Sequence, residues 1–370
     1  MANAEAYDLT SPLGTPGKAR AILARRLADI VCLPSSRISP PERWIVGDLL
    51  FEILRNSDAI IRKRCAARLA DIVDAPSALV RMLASDSYDV AEPLLERSMA
   101  LTDFDMLEIV KLGGLDHRIA LARRERVSET IAAALAASGE PPVITALLKN
   151  SGSHLAPPTM EHIVTSAKDE TSYARLAIKR AELRPRQAFR LFWWCNHVDR
   201  VALLDRFGVD RSIVIEAVED VFPLAAEEAR ASGQDALVHR ALKFVDRRQR
   251  NREAADASPY GSLEGAATAM RQRGATSEMI EEIARLAGIA RPLLARMFDD
   301  LGGEALAVLC KATGANRETL AAFWAALGRA ESAAGFRQAG IVYDSLSVEK
   351  AQTILRYWDW SNVGVSADPA

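Results

Sequence analysis

Cysteine is scarce in this chain of 370 residues: only Cys32, Cys65, Cys195 and Cys310, with no Cys-x-x-Cys pair and no short framework. That usage excludes a disulfide scaffold and reads as four small buried hydrophobes in a reducing cytoplasm. Long hydrophobic runs are missing as well. No stretch of about 18 apolar residues occurs, so no membrane span is expected. The first residues carry Glu5 and Asp8 and lack a basic segment followed by an apolar one, so no secretory signal is expected. With 16 Pro and 20 Gly the chain is neither collagen-like nor low in complexity. Charge of one sign is not in excess: 47 basic against 49 acidic side chains leave a net charge of -2. A nucleic-acid or anionic-membrane binder is usually more basic, so binding of that kind would need a local patch.

The chemistry-bearing patterns are absent too. The histidines, His117, His154, His162, His197 and His239, form no i, i+4 pair and no His-Glu-x-x-His. Cys195-Asn-His197-Val-Asp199 holds ligand-type residues, but side chains two apart do not share a helix face, and the segment reads as a helix end. No Gly-x-Ser-x-Gly occurs. Neither Gly113-Gly114 nor Gly302-Gly303 is followed by Gly-Lys-Ser/Thr, so both read as helix-ending turns. The sequence therefore assigns no catalytic residue, no cofactor and no metal site, and an enzyme is not expected.

What the chain does have is Ala, Leu and a repeat. Aromatics make up only 6%, and the abundance of good helix formers points to helices. Four segments superimpose without gaps: Ala67–Asp71, Pro93–Arg97, Ile119–Arg123 and Thr145–Lys149. Their anchors Leu69, Leu95, Leu121 and Leu147 are 26 residues apart each time. A fifth copy, Leu176–Arg180, follows after the longer His154–Pro158 loop. Each anchor is followed by a polar turn and a second apolar patch, such as Leu79-Val80 with Leu83, or Met106 with Val110. Thr102-Asp103, Ser128-Glu129, the Asp74–Ser77 turn and Pro158-Thr159 supply helix starts. A 26-residue unit holds two helices of about ten residues, each about 15 Å long. Such a hairpin cannot bury its apolar stripe alone, so neighbours must stack into a solenoid.

The stretches Val90–Ser98, Leu107–Val110, His117–Arg123 and Ala146–Asn150 resemble an uncharacterised alphaproteobacterial family, domain of unknown function 2336. Phe192–Trp194, Leu203–Phe207 and Gly303–Cys310 are similar to it as well, so the resemblance spans roughly 60–330. It implies a bacterial cytoplasmic protein with an all-helical, HEAT-like fold, and it brings no catalytic residues.

Past residue 200 the period loosens. Gly288 and Gly314 are again 26 apart and mark helical hairpins; the first also fits a helix-turn-helix template whose second helix offers Arg291 and Arg296. Two basic runs stand out. Residues 175–190 carry Arg175, Lys179, Arg180, Arg184, Arg186 and Arg190 against Glu182, and residues 240–252 hold Arg240, Lys243, Arg247, Arg248, Arg250 and Arg252 against Asp246. On one concave face they would form a stripe for phosphates or an acidic partner. Trp193-Trp194 follows the first run. Trp and Arg are enriched in binding hot spots, which makes Arg186, Arg190, Trp193 and Trp194 the candidate partner-binding set. Adjacent helix positions diverge by about 100°, so one of the two Trp rings is expected in the core. Arg247, Arg248, Arg250 and Arg291 are the candidate anion-binding residues.

The expectation is an all-α protein: a flexible tail over 1–17, a short-hairpin, HEAT-like solenoid over 18–245, a charged linker over 246–262 and a smaller C-terminal helical domain over 263–370. A solenoid without catalytic constellations points to a regulatory or scaffolding protein that binds a protein partner. Nucleic-acid binding is the alternative, and self-association is left open.

Overall fold

The computed structural model describes residues 16–211, 213–214, 252–330 and 333–363. The described residues contain twenty-one α-helices and no strand, so the fold is all-α. By internal contacts the chain divides into two compact units: Met1–Ser166 with Arg180–Glu182, and Ala167–Lys179 with Leu183–Ala370.

The first unit holds α1 (Pro16–Val31), α2 (Pro40–Arg55), α3 (Ala59–Leu69), α4 (Ser77–Ala84), α5 (Tyr88–Arg97), α6 (Asp103–Leu112), α7 (Leu115–Ala122), α8 (Glu129–Ala137), α9 (Pro141–Lys149) and α10 (Pro157–Ser166). Alternate helices touch. One row runs α1–α3–α5–α7–α9; on the other side α2 touches α4, and α6, α8 and α10 touch in turn. The 26-residue spacing is the reason. Leu69, Leu95, Leu121 and Leu147 recur near the ends of the odd-numbered helices, and all are fully buried. Leu79 and Leu83, Ile109 and Val110, Ile131 and Leu135, and Met160 and Val164 fill the facing side from the even-numbered row. The expected caps at Thr102 and Ser128 are present: their hydroxyls accept from the amides of Asp105 and Ile131. Helix α4 instead starts behind Pro76, whose ring fixes the entry angle but offers no capping oxygen.

A second column of the repeat joins the rungs. The last four carbonyls of a helix have no partner within it. Here the next repeat's side chain supplies one. Arg124 donates to Leu95 O at 2.6 Å and Ser98 O at 2.7 Å; Asn150 donates to Ala122 O at 2.9 Å and Arg124 O at 2.7 Å. Arg180 donates to Asn150 O and Ser153 O, both at 2.6 Å. At the start of the stack Arg43, 3% exposed, reaches Val31 O and Leu33 O in the same manner. The loops after α7 and α9 are also tied: Val127 N–H donates to Gly152 O, and His154 N–H to Val127 O. Gly152 has to be glycine, because a Cβ there would sit 1.8 Å from Glu125 O.

The second unit holds α11 (Ser172–Ala177), α12 (Pro185–Leu191), a 3-10 turn (Phe192–Trp194), α13 (His197–Phe207), α14 (Arg252–Ala257), α15 (Leu263–Arg273), α16 (Ser277–Ala287), α17 (Arg291–Asp299), α18 (Glu304–Ala312), α19 (Arg317–Ala326), α20 (Ala334–Ser345) and α21 (Val348–Val363), numbered over the described residues. Helix α18 is its centre, touching α17, α19, α20 and α21, and eight of its nine residues are buried. Helices α16 and α18 end alike. Ile289 N–H donates back to Ala284 O and Ala315 N–H to Cys310 O, with Gly288 and Gly314 left-handed at φ 65° and 70°. Of the segment expected as a linker, 252–262 is described: it is α14 followed by a turn into α15. The candidates Arg247, Arg248 and Arg250 lie outside the described residues.

Candidate interaction surface

Phe192 determines where the paired tryptophans go. It takes the fully buried slot after α12, and the chain tightens there from α-helix into the 3-10 turn. The expectation that one tryptophan would fill the core is corrected: Trp193 and Trp194 are both half-buried. Trp193 lies 5.4 Å from the Phe192 ring and 5.3 Å from Trp358, and the Arg296 guanidinium sits 4.4 Å from its centroid. Helix α21 contributes Tyr357, 5.1 Å from Phe189, and Trp360, 5.7 Å from Tyr357 and 38% exposed. Burial pushes the Tyr357 phenol upward, partly offset by the positive charge of Arg186. Arg186 is exposed and Arg190 half-buried. Residues 186–194, Arg296 and the end of α21 therefore belong to one arginine-aromatic patch. The contributions of Arg296, Tyr357 and Trp360 were missed from sequence. Only the amphipathic pattern of 348–360 hinted that this helix packs back.

The first basic run divides on inspection. Arg180 is buried and bound to Glu182 and to backbone carbonyls, and Arg175 lies 3.9 Å from Asp199. Lys179, Arg184 and Arg186 are exposed. The helix-turn-helix candidates are engaged as well: Arg291 donates to the Ser277 hydroxyl at 2.5 Å, and Arg296 covers Trp193.

Two further places collect charge. Between α13 and the start of α18, Arg200 holds Asp300 at 2.7 Å and Glu304 at 2.6 Å, and His197 Nδ1 meets the other Glu304 oxygen at 2.9 Å. Glu304 is 1% exposed. The Cys195–Asp199 segment, read from sequence as a helix end with a solvated His, is a helix start with the Asn196 side chain accepting from Asp199 N–H and His197 bonded to Glu304. Burial pushes the Cys195 thiol up to about 12 and Cys65 to about 11, which leaves both poor nucleophiles at neutral pH. Among the described residues no group of three His, Cys, Asp or Glu is placed to hold a metal ion. The other place is a cleft of about 300 Å³ between α7 and α9, lined by Arg123, Pro142, Thr145, Ala146, Lys149 and Asn150. Arg123 and Lys149 occupy the same column of the repeat, and both are exposed.

An all-helical chain with a two-row stack of short hairpins, and no helix among the described residues long and apolar enough to cross a membrane, defines the class. The family model described as "Uncharacterised protein conserved in bacteria (DUF2336)" matches residues 90–356, and the chain belongs to that family. The match takes in α5 through most of α21, so it contains Arg186–Trp194 and Arg296. No curated protein and no solved structure matches the chain.

Proposed function

We propose that this is a non-enzymatic interaction protein of the cytoplasm, regulatory or scaffolding, that holds a protein partner at the Arg186–Trp194 patch. The observation that carries the reading is the pairing of half-buried Trp193 and Trp194 and exposed Trp360 with Arg186 and Arg296. Large rigid rings that keep a free edge, flanked by guanidinium groups, are the chemistry of interface hot spots. Stacked helical hairpins of the HEAT type present long surfaces suited to macromolecular partners, which supports the same reading. The test is affinity capture from the native bacterium with wild-type, Trp194→Ala and Arg186→Ala baits. A partner recovered by the wild type and lost with both variants supports the proposal. Identical recovery with all three contradicts it.

A second reading, nucleic-acid binding, draws on Arg123 and Lys149 beside the cleft. It requires affinity for DNA or RNA that falls steeply with salt. No binding at 50 mM salt, or binding without a salt slope, removes it.

A further inference from the structure

Among the described residues, the first hairpin of the first unit turns large apolar side chains outward. In repeat architectures the terminal unit normally turns a polar face outward, because its outer side has no neighbour to cover it. Here α1 buries Ala24, Ala28 and Val31 against α2 and α3, and its opposite side exposes Ile22, Leu23 and Ile30. Helix α2 buries Gly47, Leu50 and Leu54 and exposes Trp44 at 66%, Ile45 at 63% and Leu49. Single exposed hydrophobics need no explanation, but six large ones on one hairpin are more than scattered surface residues.

Charge on the two helices indicates what covers it. Helix α1 carries Lys18, Arg25 and Arg26, while its Arg20 donates to Asn56 O and its Asp29 pairs with Arg68; α2 exposes Asp48 and Glu52 against Arg55, its Glu42 being bonded to Ser39. The basic and acidic helices lie side by side in one hairpin. A two-fold axis through this face would set α1 of one copy on α2 of the other, so that basic meets acidic twice and the apolar residues meet at the centre. That arrangement is isologous and closes at two subunits. An anionic membrane, by contrast, would be repelled by Asp48 and Glu52, which lie among the exposed apolar residues of α2. A partner of uniform charge would likewise match only one of the two helices.

We propose that the α1–α2 face pairs two copies of this chain into a symmetric dimer. Each helix of 16 residues is about 24 Å long, and paired axes lie about 8–10 Å apart. The footprint is therefore at the small end of specific interfaces, so the pairing is expected to depend on concentration. The surface is separate from the Arg186–Trp194 patch, and its failure would leave that proposal standing.

The experiment is sedimentation velocity of the full chain over a concentration series with two charge-reversed variants. One is Arg25→Glu with Arg26→Glu; the other is Asp48→Lys with Glu52→Lys. All four residues are exposed, so both variants are expected to fold, and their melting curves confirm it. The wild type should shift from monomer to dimer with concentration, and each variant alone should dimerise at least about tenfold more weakly. Mixing the two should restore dimerisation, because the acidic α1 of the first variant then meets the basic α2 of the second, while the second's unchanged basic α1 meets the first's unchanged acidic α2. Trp44→Glu should abolish it. A wild type that stays monomeric at all concentrations, including one whose own residues 1–15 cover the face, overturns the proposal. So does a mixture no better than its components, or a monomer that binds phosphatidylglycerol vesicles in a Trp44-dependent manner.

Discussion

The two units solve the same problem with different chemistry. In the first, side chains from one repeat satisfy backbone carbonyls of the previous one, through Arg124, Asn150 and Arg180 in a single column. In the second, the arginine that reaches carbonyls also reaches acids: Arg200 donates to Phe192 O and Cys195 O and binds Asp300 and Glu304, and Trp358 packs on Phe189, Phe192 and Trp193. A backbone target is available in every repeat, so the first device can be copied along the chain. A side-chain target has to exist in the sequence, and the Arg200 pairs join residues about 100 positions apart.

This difference predicts how each unit breaks. The largest effect belongs to Arg200→Ala, which strands Asp300 and Glu304 in the interior. Removing one partner of a buried ion pair costs about 3–5 kcal/mol, and urea unfolding should show that loss in the transition of the second unit. Next is Arg124→Ala, which leaves the carbonyls of Leu95 and Ser98 without a donor. A buried polar group without its partner costs about 1–3 kcal/mol, and hydrogen exchange should accelerate in α5 and α7. Gly152→Ala should cost about 1–3 kcal/mol as the loop moves off Glu125 O, in keeping with overpacking.

Acid sharpens the comparison further. The hydrogen bond from Arg118 holds the Glu140 carboxyl below its usual 4.5. Because the folded value is the lower one, its stabilisation is complete above about pH 4.5 and fades as pH falls through that depressed value. Glu140→Gln should flatten the acid limb of the stability profile of the first unit. The smallest effect is expected from Arg97→Ala. Its pair with Asp71 at 3.3 Å is exposed on both sides and is worth less than about 0.5 kcal/mol. Equal losses for Arg97→Ala and Arg124→Ala would dissolve the distinction between ornament and joint in the repeat.

What could be read from the sequence follows the same division. The anchors Leu69 to Leu147 were visible because a periodic core leaves a periodic imprint, and Gly288 and Gly314 were visible because a left-handed turn favours one residue type. The Arg124 column was in plain view beside the anchors, yet basic residues near helix ends read as solvated charge until their carbonyl targets are located. Arg200, Asp300 and Glu304 could not be paired from one sequence, because nothing local records a contact across that separation. Arg186, Arg190, Trp193 and Trp194 were picked out by residue type alone. Tyr357 and Trp360 joined them only through the folding back of α21, and Arg296 through the packing of α17 against Trp193.

The proposed protein-partner patch belongs to the irregular unit, whereas the regular repeat belongs to the other. Site-specific photo-crosslinking in the native bacterium tests this most directly, with p-benzoylphenylalanine replacing Trp194 in one strain and the exposed Ala67 of α3 in another. The account predicts a discrete crosslinked partner from position 194, suppressed by Arg186→Glu, and none of that mass from position 67. A partner captured equally at both positions, or at 67 alone, would contradict it.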